Sequence, residues 1–397
     1  MKKNILFLAH RIPYPPNKGD KIRSFNEIKF LSKDNKVDLI AFVDDPKDYG
    51  YNRELKKYCN KVKIIKLNKI ISKITGLIFF ILGKSISEGY FFNFKYKKSL
   101  GVFLKENKYD KIICFSSVMG QYLIDEKLEK IELIMDFCDL DSDKWIQYSK
   151  SFKFPLNLVF EKEAKRVLAL EKKINKKFNS SIFISVSEAK LFKKYYPDAK
   201  KIKIVPNGVD YKYFDKDKVK PFKKPADTIR IMFSGAMDYY PNIEAVEWFA
   251  QDIFPKIRKE ISNVEFMIVG RNPEKKVRQL EKIKGIKVTG FVDDIRIYYK
   301  SADICVAPLL IARGVQNKVL EAMAMAKPVV ATSNAIEGID LEINKDCHLA
   351  DSAEKFAELV VNLIKNKDLR EMLGTNARNY ITSNHNWDFN LKSLIEN

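Results

Sequence analysis

Strand-length apolar runs alternate with helix-patterned segments along the whole chain, and this alternation restricts the fold more than any other feature. Six runs come first, at Ile5–Ala9, Val37–Val43, Val62–Leu67, Lys111–Phe115, Leu133–Phe137 and Ile182–Val186. Five follow a break, at Arg230–Ser234, Glu265–Val269, Lys287–Gly290, Ile304–Ala307 and Val329–Ala331. Apolar runs separated by helices belong to parallel strands covered on both faces. The break, Asp210–Asp227, is polar and contains proline, and it reads as a linker. At 397 residues the chain has room for two domains, each with its own core. The predicted class is α/β, with two Rossmann-like doubly wound domains at 1–210 and 229–375, a linker over 211–228, and a cleft between them.

Composition narrows the setting. Five cysteines (59, 114, 138, 305 and 347) form no CxxC pair, which fits a reducing cytosol better than a disulfide scaffold. The apolar run in MKKNILFLAHRIPYPP covers only Ile5–Ala9, too short for a signal peptide and right for a first strand. The net charge of +21 is concentrated: residues 51–110 hold fourteen Lys or Arg against four Asp or Glu. Inside that region Ile70–Gly83 is apolar but too short to span a bilayer, and lysines and aromatics surround it across 61–98. One composition serves two readings here. It suits an interfacial segment on an anionic membrane, and equally a buried helix ringed by solvated lysines. The basic excess lacks the stacking platforms and motifs of nucleic-acid modules, so nucleic acid is not an expected partner.

The richest stretch is Arg313–Val330, RGVQNKVLEAMAMAKPVV. A loop with Gly314 runs into a short helix on which Lys318 and Glu321, three residues apart, share a face. A helix start supplies N–H groups and a positive dipole end, and Arg313 and Lys318 add cations beside it. That arrangement suits a nucleotide diphosphate, with Glu321 accepting hydrogen bonds from ribose hydroxyls.

Gly314–Val330, continued through Glu337 and Gly338, resembles the signature of family-four glycosyltransferases of the GT-B fold. HRIPYPPNKGDKIRS at His10–Ser24, DFCDLDSDKW at Asp136–Trp145, SGAMDYYPN at Ser234–Asn242 and TGFVDDIRIYY at Thr289–Tyr299 resemble a branch associated with bacterial exopolysaccharide systems. The resemblance implies retention of anomeric configuration and a C-terminal segment, 376–397, that crosses back to the first domain. It places Gly19 near the donor phosphates, and Gly235 and the turn at Asp238–Asn242 along the cleft. The loop carrying Val292 approaches the base through its backbone, and Glu337 and Gly338 lie beside phosphate or sugar.

Arg23 is a further phosphate candidate, and His10 ends the first strand on the ligand side of an open sheet. Asp136 or Asp139 is expected to face sugar or acceptor. Asp139, Asp141 and Asp143 invite a metal, but Lys144 occupies the position where a calcium loop requires glycine, and no metal or other cofactor is expected. Three departures from the family stand out. Arg313 replaces the first glutamate of an E-x7-E pair, Cys138 stands where many relatives have histidine, and the usual Arg/Lys pair after the second domain's first strand is missing. Arg313 and Lys318 are the expected substitute cations, and with Asp139 the expected catalytic groups.

The expected protein is cytoplasmic, and peripheral on the inner membrane face where the apolar segment is read as interfacial. It moves a sugar from a nucleotide-sugar to a hydroxyl of a lipid-linked saccharide or growing surface polysaccharide. A sugar-nucleotide epimerase of the same fold and a basic nucleic-acid-binding protein are the alternatives.

Overall fold

A computed structural model describes residues 2–312 and 315–394. Arg313 and Gly314, and the last residues of the expected C-terminal segment, lie outside them. The chain divides into two compact units. One is Pro206–Asn390; the other comprises the residues up to Val205 together with Leu391 onward.

The first unit is built on a seven-stranded sheet: β1 (Asn4–Ala9), β2 (Lys36–Val43), β3 (Lys61–Lys66), β4 (Lys111–Phe115), β5 (Glu132–Cys138), β6 (Ser180–Phe183) and β7 (Ile202–Ile204). The order is β3-β2-β1-β4-β5-β6-β7, and every pairing is parallel. Leu6, Leu8, Ile40, Phe42, Cys114, Met135 and Phe137 fill one core beside it. Because β1 lies between β2 and β4, the winding direction reverses there. The carboxyl ends of β1 and β4 therefore flank a topological switch point, where ligands of open α/β sheets bind.

The second unit repeats the plan with β8 (Ile229–Ser234), β9 (Val264–Val269), β10 (Ile286–Val288), β11 (Ile304–Ala307), β12 (Val329–Ala331) and β13 (His348–Leu349). The order is β10-β9-β8-β11-β12-β13, again all parallel, with the switch between β8 and β11. Continuous burial of Ile231–Phe233 and Phe266–Val269 accounts for the uninterrupted apolar runs.

The stretch 211–228 packs on the second unit. Phe222 stacks on Tyr298 at 4.6 Å, and the Arg296 guanidinium lies 3.8 Å from the Tyr213 ring. Two strands were not expected from the sequence, β7 and β13, which are three and two residues long. The apolar run at Ile182–Val186 ends earlier than expected. Ser185 accepts a hydrogen bond from Glu188 N, and the Val186–Tyr195 helix starts there.

Candidate functional site

At the switch point of the second unit, Ser234 ends β8 and Gly235 follows. A Cβ on Gly235 would lie 2.6 Å from the Asn242 side chain, and a Cβ on Gly270 would lie 1.6 Å from the Gly235 carbonyl oxygen. Only hydrogen fits at Gly270, where two backbone loops close on each other beneath the site, and a side chain on Gly235 would displace that of Asn242. Asn242, in the first turn of the Tyr240–Trp248 helix, donates to Ala236 O at 2.9 Å and accepts from Lys318 Nζ.

Lys318 and Glu321 share one face of the Asn317–Ala324 helix, as their spacing predicts, while Val319, Leu320 and Met323 are buried behind them. Lys318 Nζ lies 4.3 Å from the centroid of the buried Phe233 ring. Tyr299, 1% exposed, donates to Glu321 Oε2 at 3.1 Å and lies 2.6 Å from Ser234 Oγ. Lys318, Asn242, Glu321, Tyr299 and Ser234 thus form one connected polar corner at the carboxyl end of the sheet.

Electrostatics make the corner unusual. Burial drives the Lys318 ammonium down to about 7, against a smaller upward pull from Glu321. Burial also lifts Glu321 to about 7, despite the Tyr299 hydrogen bond and Lys318. A cation and an acceptor are held here with little solvation, the setting in which an incoming anion and hydroxyl gain most.

The remaining expected residues of this unit that are described lie in loops after strands of the same sheet. Gly290, with φ 74°, begins the loop after β10 on which Val292 is half-buried. Gly338, with φ 82°, and half-buried Glu337 follow the turn after β12. The Asn317–Ala324 helix begins without a side-chain cap from Gln316.

The first unit carries a second group. His10, directly after β1, stacks on Phe115 at 5.9 Å with planes 5° apart, and it meets the Phe91 edge at 5.6 Å. Its Nε2 lies 3.3 Å from Asp20 Oδ2, and Arg11 donates to the same oxygen while its Nε lies 3.3 Å from Asp44. Burial would raise the Asp20 carboxyl, but His10 and Arg11 hold it well below the usual range. Gly19 opens the Gly19–Leu31 helix beside this network. Asp20 serves the network rather than capping that helix.

Arg23, the further phosphate candidate, and Asp136, expected to face sugar or acceptor, are turned inward instead. Arg23 is 1% exposed; its Nε donates to Asp136 Oδ2 at 2.7 Å and its Nη1 to Val205 O at 2.9 Å. Glu27 lies 3.1 Å from the same guanidinium. Burial pushes Asp136 up, the guanidinium outweighs it, and the carboxyl stays below its ordinary value. Glu27 is raised by burial and by Asp136. These three side chains tie the first helix to β5.

Asp139 differs. It is half-buried with one buried carboxylate oxygen unbonded among the described residues, and burial, Glu188 and Asp141 lift it to about 7. Cys138 before it has φ 60°, and Asp141 and Asp143 are occupied by Ser117, Gln147 and Tyr195. Asn242 and Tyr299 lie in segments that stand out in the sequence, but no local pattern pairs either with Lys318 or Glu321.

Residues 228–366 match the family described as Glycosyl transferases group 1. A relative from Klebsiella pneumoniae, an uncharacterized 44.6 kDa protein in its cps region, is 22% identical over 398 residues, covering 96% of each chain. Sucrose-phosphate synthase from Thermosynechococcus elongatus superposes with a TM-score of 0.73 at 16% identity, over 99% of this chain and 97% of that one. Anabaena HepE, solved in complex with UDP and glucose, gives 0.68 at 14% identity, over 99% and 98%. The fold is GT-B, and the chain is a glycosyltransferase whose similarity to the group 1 family spans residues 228–366 of the second unit.

Proposed function

We propose that this glycosyltransferase moves a sugar from a nucleotide-sugar to a hydroxyl of a lipid-linked saccharide or growing surface polysaccharide, with retention at the anomeric carbon. The observation that carries the reading is the buried corner of Lys318, Asn242, Glu321 and Tyr299 at the switch point of the second unit, within the stretch that matches the group 1 family. In it, Lys318 meets the donor diphosphate together with the start of the Asn317–Ala324 helix; Arg313 and Gly314, also expected at the diphosphate, lie outside the described residues. Glu321 holds the ribose. Gly235 and the Val292 loop line the nucleotide, and Glu337 and Gly338 lie beside phosphate or sugar.

Negative charge grows on the departing phosphate oxygen as the bond to the anomeric carbon breaks. A preorganised cation and N–H groups at that place stabilise the transition state more than the ground state. The new bond joins the acceptor oxygen to the anomeric carbon, and the acceptor proton passes to the leaving phosphate on the same face. Cationic groups do what a metal would otherwise do, so the transfer needs no metal. In the first unit, His10 and Asp139 serve the acceptor or sugar. UDP in HepE and the cps-region relative support a nucleoside diphosphate donor and a surface-polysaccharide acceptor. The enzyme works on the cytoplasmic face of the membrane, in peripheral contact with it.

The test incubates full-length protein with nucleotide-sugars and saccharide acceptors in excess chelator, and reads the product by NMR. A new glycosidic bond with the donor's anomeric configuration supports the proposal. An inverted product, or transfer that depends on divalent metal, contradicts it. Turnover of donor alone to an isomeric nucleotide-sugar identifies an epimerase.

A further inference from the structure

The Lys69–Ile81 helix is amphipathic the wrong way round for a water-facing helix. Ile70, Ile71, Ile74, Leu77, Ile78 and Ile81 are 48–75% exposed, and Leu82 continues the stripe. Ser72 and Gly76 are the buried residues, with Phe79 and Phe80 half-buried against Phe92 and Arg166. A soluble helix puts its apolar stripe on the core and its polar residues in water.

The inward side is firmly built. A Cβ on Gly89 would lie 2.6 Å from Thr75 O and 2.7 Å from Gly76 Cα, so the short Ile86–Tyr90 helix packs backbone to backbone against this one. Glu163 accepts from Ile86 N at 2.6 Å and Ser87 N at 2.8 Å, and Arg166 donates to Phe80 O at 2.7 Å. The helix is therefore fixed in place with its aliphatic side outward.

Charge decides what covers that side. Residues 61–87 hold six lysines and no Asp or Glu. Lys69 and Lys73 are exposed on the helix, and Lys84 follows it. Exposed Phe94 adjoins the exposed Lys95, Lys97 and Lys98. Two copies meeting through this face would bring their lysine rims together, which like-charge repulsion disfavours. An anionic lipid surface satisfies both features, with aliphatic residues at the acyl boundary and ammonium groups among the phosphates. The helix is 13 residues, about 20 Å, too short to cross a bilayer, and no described helix is long and apolar enough to do so.

We propose that the Lys69–Leu82 segment is an in-plane anchor that seats this chain on anionic lipid. The proposal rests on the peripheral-membrane reading above, and its test leaves the donor corner untouched. Full-length protein is floated with vesicles of phosphatidylcholine containing about a third phosphatidylglycerol, and with phosphatidylcholine alone, at about 0.15 M salt. The protein should float with the anionic vesicles. Ile74→Glu with Ile78→Glu should cut that partition at least tenfold with an unchanged melting midpoint, because both side chains are exposed. Lys69→Gln with Lys73→Gln should cut it about thirtyfold, at roughly fivefold per lysine. A polarity-sensitive dye on Leu77→Cys should shift to the blue on the same vesicles, a readout independent of the glutamate variants. Each variant should keep the melting shift given by donor nucleotide, which separates loss of the anchor from loss of the donor site. The proposal is overturned if wild type stays free of anionic vesicles, if the glutamate pair binds as well as wild type, or if the dye does not move. A dimer in solution that Ile78→Glu dissociates, without vesicle binding, would give the face to a second copy instead.

Discussion

Lys318 offers a quantitative test, because its ammonium is held at about 7 in the folded chain against an ordinary 10.5. A diphosphate beside Nζ should return the group towards its ordinary value, since an opposite charge at that range favours the charged form. Donor binding then takes up a proton at any pH where the free amine is neutral. The sign follows: the bound state holds more protons between about 7 and 10.5, so affinity falls as pH rises through that window. With those two values, Lys318 alone weakens binding about fifteenfold from pH 7 to pH 8.5. The ligand should be an intact nucleotide-sugar, whose diphosphate stays fully ionised over this range. Titration calorimetry in two buffers of different ionisation enthalpy gives the affinity and the protons taken up. Glu321 also ionises near 7, so Lys318→Met is the control that isolates the lysine. The expected result is a steep slope in wild type and a shallow one in Lys318→Met. Equal slopes in the two proteins would refute the reasoning.

Arg23→Met should destabilise the first unit by about 3–5 kcal/mol, because it leaves Asp136 and Glu27 buried without their cation. Denaturant unfolding reads this, and adding Asp136→Asn should restore part of it. Tyr299→Phe removes the hydroxyl between Ser234 and Glu321 and should cost about 1–2 kcal/mol. The melting midpoint should fall by about 2–8 °C, with weaker donor binding. Glu321 and Asp139 sit at about 7 when folded, above ordinary values of 4.5 and 3.8. Their contribution to stability is present below about pH 4 and is lost as pH rises to 7. Glu321→Gln with Asp139→Asn should flatten that part of the stability curve; an unchanged curve would show that neither carboxyl is perturbed.

Much of this molecule is legible in its sequence because its central strands are buried on both faces and so appear as uninterrupted apolar runs. β7 and β13 escape because three and two residues carry no period. The Lys318 and Glu321 pair is readable because both lie on one helix, three residues apart. Asn242, 76 residues from Lys318, is not, since only the sheet order brings the two together. Arg23 shows the opposite error. Locally it is a cation beside a strand-end loop, the usual mark of a phosphate contact. Its carboxylate partner Asp136 is 113 residues away, and that pairing turns it into the interior. The apolar helix at Lys69–Ile81 could be buried or exposed on composition alone. Exposure of its aliphatic residues, with Ser72 and Gly76 inward, decides between the two.

The most direct test of the central claim is a melting-shift panel of UDP, GDP, ADP and TDP, free and sugar-linked, on wild type and Glu321→Ala in chelator. Ligand at about a hundredfold over its dissociation constant stabilises by about 2.7 kcal/mol. A raised midpoint with the nucleotides of one base, lost in Glu321→Ala, is the expected result. No shift with any nucleotide, or a shift that Glu321→Ala keeps in full, would contradict the assignment of the donor to the Lys318 and Glu321 corner.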